Sequence, residues 1–307
     1  MSDALPPPVR ESVREALAGL GAPVDIERVV PVGGGCINHG ARLDIAGGAS
    51  FFLKWNASAP PDLFEAEADG LRALRSSGGL RVPEPVARGG GSGAPSWLLM
   101  EHIEAGRPAS DYGERLGRGL AALHASPDPE DGFGWHLDNW IGSLPQTNGT
   151  QRSWARFWQI HRIAPQLERA RSRGYLDGAE GRVLDRVVDT IPQALADVDR
   201  GPPHLLHGDL WGGNAFASAD GHPVIIDPAV YRGHGEVDLA MTELFGGFGA
   251  AFYAAYDEVR PITDAYGAYR RDLYQLYYLL VHVNLFGGQY VQSSVAAARK
   301  VAAAFAA

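Results

Sequence analysis

Two apolar runs in the last third of the chain each lead into hard oxygen donors. Leu205-Leu206 opens onto His207-Gly208-Asp209-Leu210-Trp211-Gly212-Gly213-Asn214, and Val224-Ile225-Ile226 opens onto Asp227-Pro228. Asp209 falls on an irregular loop five residues before Asn214, and Asp227 ends a strand thirteen residues further on. If the two segments are neighbouring strands joined by a turn at Asp220-Gly221, two carboxylates and an amide oxygen converge. Such a set suits Mg²⁺, which takes few protein oxygens and completes its shell with phosphate and water. Each residue alone has a plainer reading: Asp209 as a turn former, Asn214 as a cap, Asp227 as the entry to a loop before proline. The joint spacing favours the converging set over these separate readings.

The order H-x-D-L-x-x-x-N followed by an aspartate is that of the kinase catalytic loop and its metal-binding carboxylate, which implies ATP and a phosphate-binding cation elsewhere in the chain. Composition narrows the search for that cation. The formal net charge is -9, and only two of the 27 basic residues, Lys54 and Lys300, are lysines. Lys300 sits in an Ala-rich terminal helix and reads as solvated. Lys54 lies in the strand-like run Phe51-Phe52-Leu53-Lys54-Trp55, where it can reach the α- and β-phosphates. A carboxylate on the following helix should orient it; Glu65 and Glu67 both qualify, and Glu67 is preferred, with Glu65 solvated. The Gly33-Gly34-Gly35 turn lets backbone N–H groups approach phosphate. It is no Rossmann fingerprint, since Asn38 occupies the third glycine position, and the chain has no Walker G-K-[ST]. At the end of the apolar strand Leu98-Leu99-Met100, the backbone of Glu101 and Ile103 can pair with an adenine edge while Met100 lines the pocket.

The pattern along the chain predicts a helix over 8–20, strands over 28–32, 41–45 and 50–55, an amphipathic helix over 61–77 and a strand pair over 85–88 and 96–103. From residue 109 it turns helical, over 116–123, 154–170 and 181–198. A β-rich, nucleotide-binding front of residues 1–104 and a mostly helical rear of 105–307, carrying the catalytic loop and acceptor site, follow. The acidic balance and the lack of a Lys/Arg block argue against nucleic acid. One cysteine excludes an internal disulfide framework, and the most apolar later stretch, 273–286, is too short to span a membrane. A soluble, cytoplasmic chain is expected.

Taken together, these residues resemble the fructosamine kinase (ketosamine 3-kinase) family, relatives of the aminoglycoside phosphotransferases and choline kinases. The resemblance is carried by Gly33-Gly34-Gly35-Cys36-Ile37-Asn38, by Phe64-Glu65-Ala66-Glu67, by the run from Asp138-Asn139-Trp140 to Gln146-Thr147-Asn148, by Leu206 to Asn214, by Asp227 to Phe248 and by Asn284-Leu285-Phe286-Gly287-Gly288. It implies an α+β, protein-kinase-like two-lobed fold and ATP-dependent phosphorylation of the C3 hydroxyl of ketosamines, either small molecules or glycated protein lysines. The unstable 3-phosphate then eliminates and frees the amine. Carried over, Asp209 is the base or orienter for the sugar hydroxyl, Asn214 and Asp227 hold Mg²⁺, and Lys54 with Glu67 clamps the phosphates.

Gly208 stands where protein kinases have the Arg of H-R-D, so activation-loop control is not expected. Trp211 offers a flat face for a sugar, with His234 and Glu236 near it in sequence as further acceptor-site candidates or as structural residues of their loop. Asp238 reads as a cap or loop anchor. Cys36, on the glycine turn, is either an ordinary thiol or a redox-sensitive one able to link two copies of the chain, which otherwise reads as a monomer. Two other functions remain open: a kinase of another small hydroxyl acceptor (aminoglycoside, choline or sugar), and an inactive nucleotide-binding pseudokinase.

Overall fold

The computed structural model describes residues 5–33, 37–91, 93–125 and 132–306. The chain forms two compact units, Met1–Tyr112 with Ala215–Asp227, and Gly113–Asn214 with Pro228–Ala307.

The first unit opens with α1 (Pro7–Gly19), where proline in the first turn gives up no helical hydrogen bond. Strands β1 (Ile26–Val32), β2 (His39–Ile45) and β3 (Ser50–Asn56) lead to α2 (Leu63–Ser77), then β4 (Pro85–Gly91) and β5 (Ala94–Glu101). The five strands form one antiparallel sheet in the order β1-β2-β3-β5-β4. Alternation along the strands sorts the side chains. Leu53 is paired with Ala41 and Leu99, and these buried residues pack with Val9, Val13 and Leu17 of α1. Lys54, one residue on, belongs to the opposite face, paired with Gly40 and Leu98. Helix α2 buries Leu63, Phe64, Leu71 and Leu74 and stops at Gly78, whose φ of 73° ends the helix in the left-handed region.

The second unit contains α3 (Tyr112–Ala125), the hairpin β6 (Asn139–Ile141) and β7 (Leu144–Gln146), α4 (Trp154–Phe157), α5 (Ala164–Ser172), α6 (Gly178–Ala194) and β8 (His204–Leu206). The chain then returns to the first unit as the hairpin β9 (Ala215–Ala217) and β10 (Pro223–Ile225). There Arg81 accepts a hydrogen bond from Ile225 N at 3.0 Å, and Gly106 N donates to Ala217 O at 2.8 Å. The second unit resumes with β11 (Tyr231–Gly233), α7 (Glu236–Leu244), α8 (Ala250–Val259), α9 (Arg271–Phe286) and α10 (Val291–Ala304). The architecture is α+β: one five-stranded antiparallel sheet, and a unit built mainly of helices. Among the described residues, no helix is long and apolar enough to cross a membrane.

Two elements differ from the sequence reading. The helix expected over 154–170 is interrupted by a π-helical stretch, Trp158–Ile163, which turns the buried Arg162 inward. Its guanidinium lies 3.9 Å over the Tyr231 ring and donates to Thr147 O and Asn148 Oδ1 at 2.8 and 2.7 Å. The β6–β7 hairpin, in a stretch between the expected helices to which no element was given, is held from the other side: Asn139 Nδ2 donates to Val230 O at 2.7 Å, and Gln146 Nε2 to Asn139 Oδ1 at 2.7 Å. Backbone satisfaction from distant polar side chains, not local propensity, decides both.

Candidate active site

In the first unit, α2 carries Glu67 to the sheet face that bears Lys54. Lys54 Nζ donates to Glu67 Oε1 at 2.6 Å and also to Asp227 Oδ1. Glu65 turns instead to Arg88, 3.1 Å away and half-exposed. Burial alone would lower the Lys54 pKa, but the Asp227 and Glu67 carboxylates outweigh it and raise it, so the ammonium persists. Glu67 is pushed up by burial and by the neighbouring Asp227, against the pull of Lys54. Asp227 has a φ of 57°, the only positive φ outside glycine among the described residues, and aspartate is one of the few side chains that tolerate it. Its side chain is 40% exposed, which leaves the carboxylate accessible to a ligand.

Met100 is buried on β5 and Ile103 is buried just beyond it. Glu101 N–H is committed to Glu84 O at 2.8 Å, and its carboxylate to Arg81 at 3.0 Å. Gly33 follows β1 with open space around it. Gly34, Gly35 and Cys36 lie outside the described residues. Just beyond them, Asn56 Nδ2 donates to Asn38 Oδ1 at 3.0 Å, tying the end of that connection to the edge of β3.

In the second unit, the loop after β8 carries Asp209. Its backbone is fixed on three sides. The fully buried Asp238 of α7 accepts from His207 N and Gly208 N at 2.8 and 2.9 Å, and Tyr278 of α9 donates to Gly208 O at 2.7 Å. Asp238 is in turn 3.1 Å from His124 Nε2, whose other nitrogen meets the Tyr256 hydroxyl at 2.8 Å. Burial works against the Asp238 charge, yet the bond to His124 and the loop amides hold its carboxyl below the usual range. Gly208 has a φ of 81°, and a Cβ there would stand 2.0 Å from Ala229 O. Any side chain before Asp209 is therefore excluded on steric grounds. Asn214 Nδ2 donates to Asp209 O at 2.8 Å and lies 3.5 Å from Asp209 Oδ2. Trp211 is 39% exposed, its indole against Gly213, where a Cβ would come within 2.3 Å of the ring.

His234 and Glu236 stand at the junction of β11 and α7. Glu236 is buried and receives Arg270 Nε at 2.7 Å and Nη2 at 2.8 Å; the His234 side chain is 13% exposed, and its pKa is held far below the ordinary value by desolvation and by Arg270. These surroundings favour the structural role for the pair. Asp238 does not cap α7, whose N-cap is Gly235; it is the anchor of the Asp209 loop. His124 belongs to that anchor. Nothing local marks either residue, because the loop amides lie some thirty positions upstream of Asp238.

Taken singly, Asp227 and Asn214 are each hard oxygen donors of the kind a divalent cation takes. Asp227 offers an accessible carboxylate. Asn214, with its amide nitrogen turned to Asp209, has an oxygen as its ligating atom.

The chain is similar to known proteins along nearly its whole length. The sequence profile of the family described as fructosamine kinase matches residues 10–304. A Synechocystis protein named "Probable ketoamine kinase" is 44% identical over 292 residues, covering 94% of this chain and 95% of that one. The chloroplastic protein-ribulosamine 3-kinase of Arabidopsis thaliana is 39% identical, over 93% of this chain and 86% of that one. Among solved structures, a "putative fructosamine-3-kinase" from Thermobifida fusca superposes with a TM-score of 0.83 at 36% identity, covering 95% and 99% of the two chains. An aminoglycoside phosphotransferase solved with AMP-PNP and hygromycin B superposes with a TM-score of 0.63 at 17% identity, over 94% and 98%, and shares the kinase-like fold.

Proposed function

Because the chain belongs to the fructosamine kinase family, we infer that it transfers the terminal phosphoryl group of ATP to the C3 hydroxyl of ketosamines and so initiates their deglycation. One observation carries the reading at the level of residues: a persistent ammonium, Lys54, is held by Glu67 and Asp227 within the family match. Phosphoryl transfer asks the protein mainly for positioning and charge stabilisation, and such an ammonium supplies both to nucleotide phosphates.

In this reading Lys54, oriented by Glu67, pairs with the α- and β-phosphates, and the Gly33-Gly34-Gly35 turn covers them. The Glu101 carbonyl and the Ile103 N–H meet the adenine edge beside Met100. Asp209 accepts the proton of the C3 hydroxyl as its oxygen bonds to the γ-phosphorus and the bond to the β-phosphate oxygen breaks. Asp238 and Tyr278 keep Asp209 in place through the loop backbone. Asn214 and Asp227 would hold Mg²⁺, which when bound neutralises charge on the phosphates. Trp211 packs on the C–H face of the sugar. The closed space at Gly208 leaves no basic side chain there to answer a phosphorylated activation loop, in keeping with a small-molecule or glycated-lysine acceptor. The cytoplasm is its expected compartment.

A coupled ADP-release assay with fructose-lysine and ribulose-lysine tests the reading. Turnover that falls at least about a thousandfold in Asp209→Asn, with the melting temperature unchanged, is the expected result. Failure to turn over any ketosamine, with activity on an aminoglycoside or choline instead, would overturn it.

A further inference from the structure

Three times in the second unit an aromatic residue is followed by two glycines: Trp211-Gly212-Gly213, Phe245-Gly246-Gly247 and Phe286-Gly287-Gly288. Only the first has a part in the proposed reaction. All three rings are exposed, by 39%, 42% and 50%, and they are the only aromatic members among the large exposed hydrophobic side chains of the described residues. Their exposure follows from the glycines. Gly246, Gly247 and Gly287 have φ of 74°, 102° and 93°, so the chain turns sharply after Phe245 and Phe286, and after all three rings no side chain follows to cover them.

The three sites are joined. Gly212 and Gly247 meet backbone to backbone: a Cβ on Gly247 would be 3.0 Å from the Gly212 Cα, and one on Gly212 would be 3.2 Å from Gly246 O. The Trp211 loop and the Phe245 turn therefore touch through glycines alone. From Phe245 the rings continue to His282 at 4.6 Å, and from His282 to Phe286 at 5.4 Å and to Tyr290 at 5.0 Å. The shelf stands on the helix that also fixes the catalytic loop: His282 Nδ1 donates to Tyr278 O at 2.8 Å, and Tyr278 donates to Gly208 O. Burial lowers the His282 pKa, so its ring is neutral and the shelf is uncharged at physiological pH.

We propose that Phe245, His282, Phe286 and Tyr290 form a subsite for the polypeptide flanking a glycated lysine, continuous with the sugar position at Trp211. This rests on the ketosamine reading. With the sugar on Trp211 and its hydroxyl at Asp209, the amine substituent has to leave the acceptor site along a neighbouring surface, and the glycine contact makes the aromatic shelf contiguous with it. Two successive ring spacings correspond to roughly three residues of extended chain, more than a free amino acid fills. Uncharged rings select apolar or aromatic neighbours of the lysine, and the bare glycine backbone admits the peptide main chain.

The test uses the full-length enzyme and two acceptors: ribulose-glycine, which cannot reach the shelf, and a heptapeptide with a central ribulose-lysine flanked by Phe and Leu. In Phe245→Ser/Phe286→Ser, KM for the peptide should rise about tenfold with kcat unchanged, while kcat/KM for ribulose-glycine stays within about twofold. Phe286→Trp should keep the peptide KM at the parent value. An unchanged peptide KM in the double variant, or equal losses on both acceptors, would overturn the subsite and leave the ketosamine reading standing. If the parent enzyme turned over neither acceptor, the ketosamine reading itself would be overturned, and the subsite with it.

Discussion

Lys54 was legible because it is one of two lysines in an arginine-rich chain and sits inside an apolar strand, where a hydrated ammonium has no place without partners. The sequence qualified both Glu65 and Glu67 and preferred Glu67, since each stands on the following helix; two positions on a helix differ by more than half a turn, and only the one facing the sheet reaches Nζ. Replacing Lys54 by Met leaves two carboxylates side by side with no cation. We expect a cost on the order of 2 kcal/mol in thermal unfolding and a loss of at least about a hundredfold in kcat. Adding Glu67→Gln should restore most of the stability and none of the activity. Recovery of both would mean that Lys54 has only a structural part.

At the scale of elements, the sheet and the long helices followed their periodicity, whereas short elements answered to distant partners. The β6–β7 hairpin has three-residue strands, too short for a pattern, and depends on the carbonyls of Ala229 and Val230. The catalytic loop was recognisable from its residues, but its support was not, because Asp238 lies on α7 and His124 on α3. Asp238→Asn keeps the shape and loses the charge that accepts two loop amides. It should lower kcat about a hundredfold while the KM for ATP stays within about threefold, as expected when the loop loosens and nucleotide contacts persist. A parallel rise in the KM for ATP would argue for general unfolding. Gly208→Ala forces a Cβ against Ala229 O at a left-handed φ and should cost at least about 2 kcal/mol, read as a lower denaturation midpoint.

For the whole molecule, the α+β class and the kinase-like fold could be anticipated from the order of the motifs. The return of Ala215–Asp227 to the first unit could not, because single-sequence periodicity carries no record of which unit a three-residue strand joins. Acid sensitivity also belongs at this scale. Burial, with Arg260 beside it, lowers the His204 pKa to about 3, and burial with Arg270 holds His234 far below its ordinary value. Both are depressed in the folded state, so between pH 6.5 and about 3 the unfolded chain binds the protons first. Their contribution is complete above pH 6.5 and is lost as pH falls through that window, by at most about 1.4 kcal/mol per pH unit for each histidine. Calorimetry at pH 5 should find about two protons taken up on unfolding through these groups, and about one in His204→Gln. An unchanged uptake would show that His204 is not held neutral.

The passage of the β9–β10 hairpin into the first unit bears on how such enzymes can be recombined. A front half ending near residue 112 would inherit the sheet without the strands that Arg81 and Gly106 receive. The nucleotide half is consequently not a cassette: a graft between relatives needs a second splice, and that splice falls at Asn214 and Asp227, the residues whose chemistry the recombinant must preserve.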